Sequence, residues 1–337
     1  MGKKLKQKFI ILVYGPTGVG KSGFSEKLAT SLQAKKLPAQ LVNCDIGQFY
    51  TKFGIGTAKP DWQSGAIKQH LFDIINEPKS FNVSEYRNLL FETIEKIWEQ
   101  NNIPILVGGS GFYLKSLFFP PIDDEVIASK QEIYQKIGGQ NNPSSIDLWE
   151  KLHEIDPQRA AKIDKNDTYR VKRALEIWEK TGLKPSEFVP MFDFPSNFLF
   201  VFLNRERREL YERIDKRTYQ MVHEGWIQEV EELMGTKWEH FFKEKKLIGY
   251  DVIVDYLKGD KDKKSLEKTV KIIQKKTRNY AKRQVTFWRS FCEQLEKESA
   301  KSKEEKVETK IETVNLTFLD LDLYIKQLVA YLEKLFD

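Results

Sequence analysis

Five short apolar runs and the helical patterns between them organise the chain. The run Phe9-Ile10-Ile11-Leu12-Val13 is followed, after a glycine-rich stretch, by residues 24–32, whose apolar positions recur at helical spacing. Further apolar segments occupy 39–45, 103–107 and 199–203. Runs apolar at nearly every position suit strands buried on both faces, as in a parallel sheet covered by helices. Residues 84–100 place Tyr86, Leu89, Leu90, Ile94, Ile97 and Trp98 on one helical side. Residues 54–60 (GIGTAKP) read as a loop without regular structure, and HLFDI follows at 70–74. From about Pro120 the strand–helix rhythm breaks: Pro120-Pro121, Asp123-Asp124-Glu125, Gly138-Gly139 and Asn141-Asn142-Pro143 precede helical segments at 145–155 and 169–181. Pro185, Pro190 and Pro195 end that region, and 199–203 returns the chain to the sheet. A long helix is expected over 206–234, a basic and aromatic one over 271–289, a solvated helix or linker over 296–310, and a last strand (314–318) and helix (323–336).

The stretch after the first strand reads GPTGVGKS: Gly15, Pro16, Thr17, Gly18, Val19, Gly20, Lys21 and Ser22. A G-x-x-x-x-G-K-[ST] pattern between a strand and a helix is a phosphate-binding loop. Its glycines let successive N–H groups face one concavity, the helix adds its positive end, Lys21 adds a mobile charge, and Ser22 offers a hydroxyl to Mg²⁺. The expected fold class is α/β, a P-loop NTPase-like parallel sheet core with an inserted helical subdomain. Residues 1–120 and 200–337 form the two parts of the core and 121–199 the insertion.

Asp45 closes the second apolar segment, and we place it at the sheet's ligand edge, beside the strand that carries the loop. The plain alternative is a capping aspartate. The third segment ends in Gly108-Gly109-Ser110-Gly111 rather than in the acid that many phosphate-loop hydrolases use. Backbone and hydroxyl donors aimed at the same anion fit that ending better than a water-activating ATPase does. Arg213 and Arg217, four apart, share a helix face, either as a solvated pair or as an anion clamp. In KIIQKKTRNYAKRQVTFWR (271–289) cations interleave with Tyr280, Phe287 and Trp288, a mixture suited to a nucleic acid, though an amphipathic helix produces part of it.

Composition adds constraints. The 337 residues are 40% hydrophobic and 31% charged with a net charge of +6, ordinary for a soluble globular protein and compatible with a polyanionic partner. No apolar run reaches the roughly 18 residues of a membrane span, and MGKKLKQK leads into a core strand without a secretory pattern, so a cytoplasmic protein without membrane attachment is expected. Cys44 and Cys292, and His70, His153, His223 and His240, are scattered without metal-ligand spacing, so we expect neither a structural zinc nor a disulfide.

Several stretches together resemble one family over roughly residues 9–290. GPTGVGKS, CDIGQFY with IGTAKP, HLFDI, PILVGGSGFYLK, DPQRAAKIDKNDTYRVKRALEIWEKTG, the arginine-bearing helix through Gly225 and Glu229-Val230, LIGY and TRNYAKRQVTFWR match in order the tRNA dimethylallyltransferases (tRNA isopentenyltransferases). The chain resembles the bacterial form, which lacks the zinc-finger extension. The resemblance implies transfer of a dimethylallyl group from dimethylallyl diphosphate to the exocyclic amine of the adenosine 3′ of the anticodon, by a monomer that uses Mg²⁺. It implies that the loop residues 15–22 bind diphosphate, that Lys21, Ser110 and Arg217 stabilise the leaving anion with Arg213 as neighbour, that Ser22 meets the metal, and that Asp45 takes the amine proton. Contacts to the tRNA anticodon stem-loop are implied at Asp45, Ile46, Gly47 and Gln48; at Tyr169, Arg170, Val171, Lys172 and Arg173; at Lys246, Leu247, Ile248, Gly249, Tyr250 and Asp251; and at Lys282, Arg283, Gln284, Val285, Thr286, Phe287, Trp288 and Arg289. Three positions depart from the family pattern: Ile46 stands for Ser, Ile127 for Arg, and Phe287 for Trp. The competing readings are a phosphate-loop nucleoside or nucleotide kinase, a prenyltransferase for free adenine nucleotides, and a non-catalytic RNA-binding protein.

Overall fold

A computed structural model describes residues 7–120, 145–187, 196–301 and 309–336. The chain divides into two units, Ser116–Asp193 and the remainder.

The larger unit is built on a six-stranded parallel sheet of order β3-β2-β4-β1-β5-β6. Its strands are β1 (Phe9–Tyr14), β2 (Ala39–Asn43), β3 (Gln69–His70), β4 (Ile103–Gly108), β5 (Asn197–Asn204) and β6 (Thr309–Asn315). Every residue of β1 is buried, which explains its unbroken apolar run. Strand alternation divides these residues between the faces. Phe9, Ile11 and Val13 join a core with Phe24, Leu28 and Leu32 of α1 (Lys21–Ala34) and with Ile325, Leu328 and Leu332 of a C-terminal helix, Leu321–Phe336. On the opposite face Tyr14, Phe200 and Phe202 meet the Trp288 indole, whose centroid lies 4.5 Å from Phe200 and 4.6 Å from Phe202. Trp288 belongs to a 39-residue helix, Lys263–Lys301. An amphipathic helix, α2 (Val83–Glu99), opens on a capping box between Asn82 and Glu85, and its Trp98 Nε1 donates to Phe9 O.

In the smaller unit, helices α4 (Ser145–Ile155), α5 (Pro157–Ala160) and α6 (Thr168–Thr181) enclose Leu148, Leu152, Val171, Ala174 and Leu175. This unit also takes up the end of α3 (Gly111–Phe118). Asp156 caps α5 at Arg159 N and Asp167 caps α6 at Arg170 N.

The structure amends several expectations. The sheet is re-entered at Asn197, not at 199. The helix expected over 206–234 is α7 (Arg207–Met221), a π-helical turn (Val222–Trp226) with Gly225 at φ 110°, and α8 (Ile227–Leu233). An extra residue in a helical turn rotates all that follows by about 100°. Two further helices, α9 (Lys237–Glu244) and α10 (Tyr250–Lys258), were not expected, nor was the 3₁₀ turn Ile55–Thr57 inside the supposed loop. The basic helix, α11, begins at Lys263 and continues to Lys301, and β6 starts at Thr309, so the 296–310 segment is helix and strand at its ends. Residues 302–308 and Ile127 lie outside the described residues. The C-terminal helix is α12.

Candidate active site

β1 delivers residues 15–22 to the carboxyl edge of the sheet, between the ends of β4 and β5. Gly18 (φ 82°) and Gly20 (φ 108°) take left-handed backbone, which lets the loop wrap back on itself before α1 starts. Lys21 Nζ donates to Gly15 O at 2.9 Å and Pro16 O at 3.1 Å. Burial lowers its pKa to about 8, against the pull of the Asp45 carboxylate, and Arg217 adds to the lowering.

Asp45 does not lie beside the loop's own strand, because β4 stands between β2 and β1. The carboxylate reaches the loop across the end of β4, where the chain has glycines. A Cβ on Gly108 would lie 2.3 Å from Cys44 O. A Cβ on Gly109 would lie 3.6 Å from both Asp45 Oδ2 and Lys21 Nζ and 2.5 Å from Gln284 Nε2. Side-chain volume there would push apart the acid and the cation, so the glycine-rich ending is a spacing device. Burial raises the Asp45 pKa above the ordinary carboxylate range, and Lys21, the Gly47 N–H and Arg217 hold it back. Asp45 also caps the turn Ile46–Phe49 by accepting from Gly47 N at 3.3 Å, so the capping role and the site role coincide.

Ser110 Oγ accepts from Ile46 N at 3.1 Å. That bond uses the backbone and survives whichever side chain occupies 46. Arg217 donates to Thr17 Oγ1, and Arg213 Nε donates to Gly18 O at 3.0 Å, so α7 clamps the loop from the other side. The cleft, of about 390 Å³, is lined among others by Thr17, Lys21, Ser22, Asp45, Gln48, Thr57, Arg213 and Arg217.

Gln284 is buried at 4% exposure; its Oε1 accepts from Thr17 N and its Nε2 donates to Gly109 O, both at 2.8 Å. It spans the two loops rather than offering a surface. Trp288 (3% exposed), Tyr250 and Val171 are likewise core side chains, which corrects their expected part in direct contact. Gly249, at φ 94°, makes room for the Trp226 indole, 2.3 Å from where its Cβ would be. Lys282, Arg283, Thr286 and Arg289 are exposed on α11, Val285 and Phe287 are half-buried, and the Phe287 ring packs against Gly111. Lys246 is exposed, Leu247 and Ile248 are half-buried, and Asp251 pairs with Lys276 at 2.6 Å. In the smaller unit Tyr169 is 78% exposed, Arg170 is exposed, and Lys172 and Arg173 are half-buried, with Arg173 bonded to Glu176.

Sequence reasoning missed Arg205, whose Nε donates to Val19 O at 2.8 Å, and Tyr14, whose buried hydroxyl has no hydrogen-bond partner among the described residues. Burial and the negative charge of Asp45 keep that phenol protonated. Tyr14 follows the last clear strand residue directly before the loop, a position that could have marked it.

A family model described as IPP transferase matches residues 48–291. A tRNA dimethylallyltransferase of Alkaliphilus oremlandii is 34% identical over 289 residues, covering 85% of this chain and 90% of that protein. One from Thermotoga maritima is 33% identical over 290 residues, covering 84% and 90%. Among solved structures, the full-length tRNA isopentenylpyrophosphate transferase of Bacillus halodurans is 30% identical with a TM-score of 0.62, covering 98% of this chain and 96% of its own. A eukaryotic dimethylallyltransferase acting on tRNA is 28% identical with a TM-score of 0.68, covering 83% and 69%. With the phosphate loop, the acid and the arginines assembled in one cleft, and with relatives matching along nearly their whole length, this chain belongs to the tRNA dimethylallyltransferase (IPP transferase) family.

Proposed function

We propose that the chain transfers a dimethylallyl group from dimethylallyl diphosphate to the exocyclic amine of the adenosine 3′ of the anticodon in tRNA, releasing diphosphate. The observation that carries this reading is the approach of Asp45 and Lys21 across Gly109, with Arg213 and Arg217 on the facing wall. As the bond from the allylic carbon to oxygen breaks, negative charge collects on diphosphate and the carbon turns positive. Lys21, Arg213, Arg217 and the loop N–H groups are placed to take up the anion. Asp45, with its raised pKa, accepts the proton that the attacking amine must lose. Ser110 holds the Asp45 turn through Ile46 N.

Among the described residues no three His, Cys, Asp or Glu cluster as metal ligands. The donors in the cleft are hard oxygens, the Ser22 hydroxyl and the Asp45 carboxylate, which suit Mg²⁺ completed by diphosphate and water. Ser22 would hold that ion, which when bound neutralises charge on the leaving group.

The exposed Lys282, Arg283 and Arg289, and Tyr169 with Arg170 in the smaller unit, suit the phosphates and bases of an anticodon stem-loop. The target base is flipped from its stack to reach Asp45. No helix among the described residues is long and apolar enough to cross a membrane. We read the protein as a cytoplasmic monomer. Incubation with labelled dimethylallyl diphosphate and either bulk tRNA or AMP tests the reading: label enters tRNA and not AMP. Label in AMP alone would assign it to free nucleotides, and ADP formed from ATP in step with turnover would make it a kinase.

A further inference from the structure

Glu229 is a carboxylate outside the catalytic cleft with an unusual set of partners. Its Oε2 accepts from Gly54 N at 2.9 Å and Ile55 N at 2.6 Å; its Oε1 accepts from Gly56 N at 3.1 Å and from the Tyr250 hydroxyl at 2.6 Å. Three successive backbone N–H groups thus converge on one anion, each a charge-assisted bond. The same turn leaves no room for side chains, because a Cβ on Gly56 would lie 2.2 Å from Trp226 Nε1 and 2.4 Å from the Tyr250 hydroxyl.

The clamped turn leads directly into the cleft wall. Thr57 and Ala58 line the cleft, and their carbonyls accept from Gln48 Nε2 at 3.2 and 3.3 Å. The Thr57 methyl lies 3.0 Å from where a Cβ on Gly47 would be, and Gly47 N donates to Asp45. Glu229 sits on α8, which continues α7 through the Gly225 turn. One carboxylate therefore joins the element carrying Arg213 and Arg217 to the segment that backs Asp45.

We propose that Glu229 is a positioning residue for the reaction: it fixes residues 54–58 as a wall of the cleft and so sets the separation between the acid that accepts the proton and the arginines that hold the leaving anion. The inference rests on the proposed transfer reaction. Displacing a reacting group by about 1 Å costs on the order of a hundredfold in rate, so Glu229→Ala should lower kcat by about that factor. The KM for dimethylallyl diphosphate should stay within about twofold, because Lys21 and the loop N–H groups remain in place. Tyr250→Phe, which removes one bond of four and keeps the ring, should lower kcat by about fivefold. Glu229→Gln keeps one acceptor oxygen and should fall between the two.

Hydrogen exchange at the amides of 54–56, read on the same proteins without substrate, should accelerate in Glu229→Ala while the amides of β1 keep their protection. Faster exchange with turnover within about twofold of wild type would overturn the proposal, as would unchanged protection at 54–56. A wild-type protein that moves no prenyl group would instead refute the proposed activity, and the exchange data would still report on the clamp.

Discussion

Gln284→Leu separates two roles for the basic helix. Glutamine at 284 joins Thr17 N to Gly109 O through two 2.8 Å bonds at 4% exposure. Leucine keeps the volume and removes both partners, leaving a buried N–H and a buried carbonyl. An orphaned buried group costs about 1–3 kcal/mol, and water can reach the Thr17 side from the cleft, so a stability loss of about 2–4 kcal/mol is expected. Thr17 is also held by Arg217, so the loop should loosen rather than collapse. The diphosphate KM should rise, because the anion then has to order the loop on binding. The assays are urea denaturation and steady-state kinetics beside tRNA affinity by filter binding. The reasoning predicts lost stability, a raised diphosphate KM and tRNA affinity within about twofold. Weakened tRNA binding with stability and diphosphate KM unchanged would refute it and make Gln284 a contact to RNA.

Asp45→Asn should keep tRNA and diphosphate binding and lose turnover by about 10²- to 10⁴-fold; turnover within a factor of about two would remove Asp45 as the base. The pH profile of kcat/KM for the diphosphate should have two limbs. It falls on the acid side as Asp45, raised above the usual carboxylate range, takes up a proton, and on the alkaline side as Lys21, near 8 in the free protein, loses one. Bound anion favours charged Lys21, so the alkaline limb of kcat should lie higher than that of kcat/KM, and coincident limbs would count against this role. In a salt titration of tRNA affinity, Arg283→Ala should lower the log–log slope by about 0.7–0.9, whereas Phe287→Ala should weaken binding with the slope unchanged; an unchanged slope for Arg283→Ala would mean that this face of α11 meets no phosphate.

The sheet was legible because β1, β4 and β5 are buried on both faces and therefore apolar at nearly every position. The phosphate loop was legible because its backbone geometry demands glycine at particular spacings. Less was legible where meaning depends on what packs from afar. Trp288 and Gln284 sit among cations on α11, and only the facing Phe200, Phe202 and Thr17 turn them inward. The π-turn at Gly225 adds one residue within a helical pattern, which a periodicity over that window absorbs. Helix α9 carries Trp238, Phe241 and Phe242 at spacings of three and four after the N-cap Thr236, a signal present in the sequence but short. Glu229 reads as one more charge on a polar helix until the 54–56 amides are seen around it.

The central claim is that the cleft joins a prenyl group to one exocyclic amine. The most direct measurement is mass spectrometry of an anticodon stem-loop RNA after incubation with dimethylallyl diphosphate and Mg²⁺, beside the same RNA carrying purine riboside, which lacks the amine, at the position 3′ of the anticodon. The account predicts that the first RNA gains one dimethylallyl group in place of a hydrogen at that adenosine and that the second gains none. Modification of the purine-riboside RNA, or of neither RNA, would contradict it.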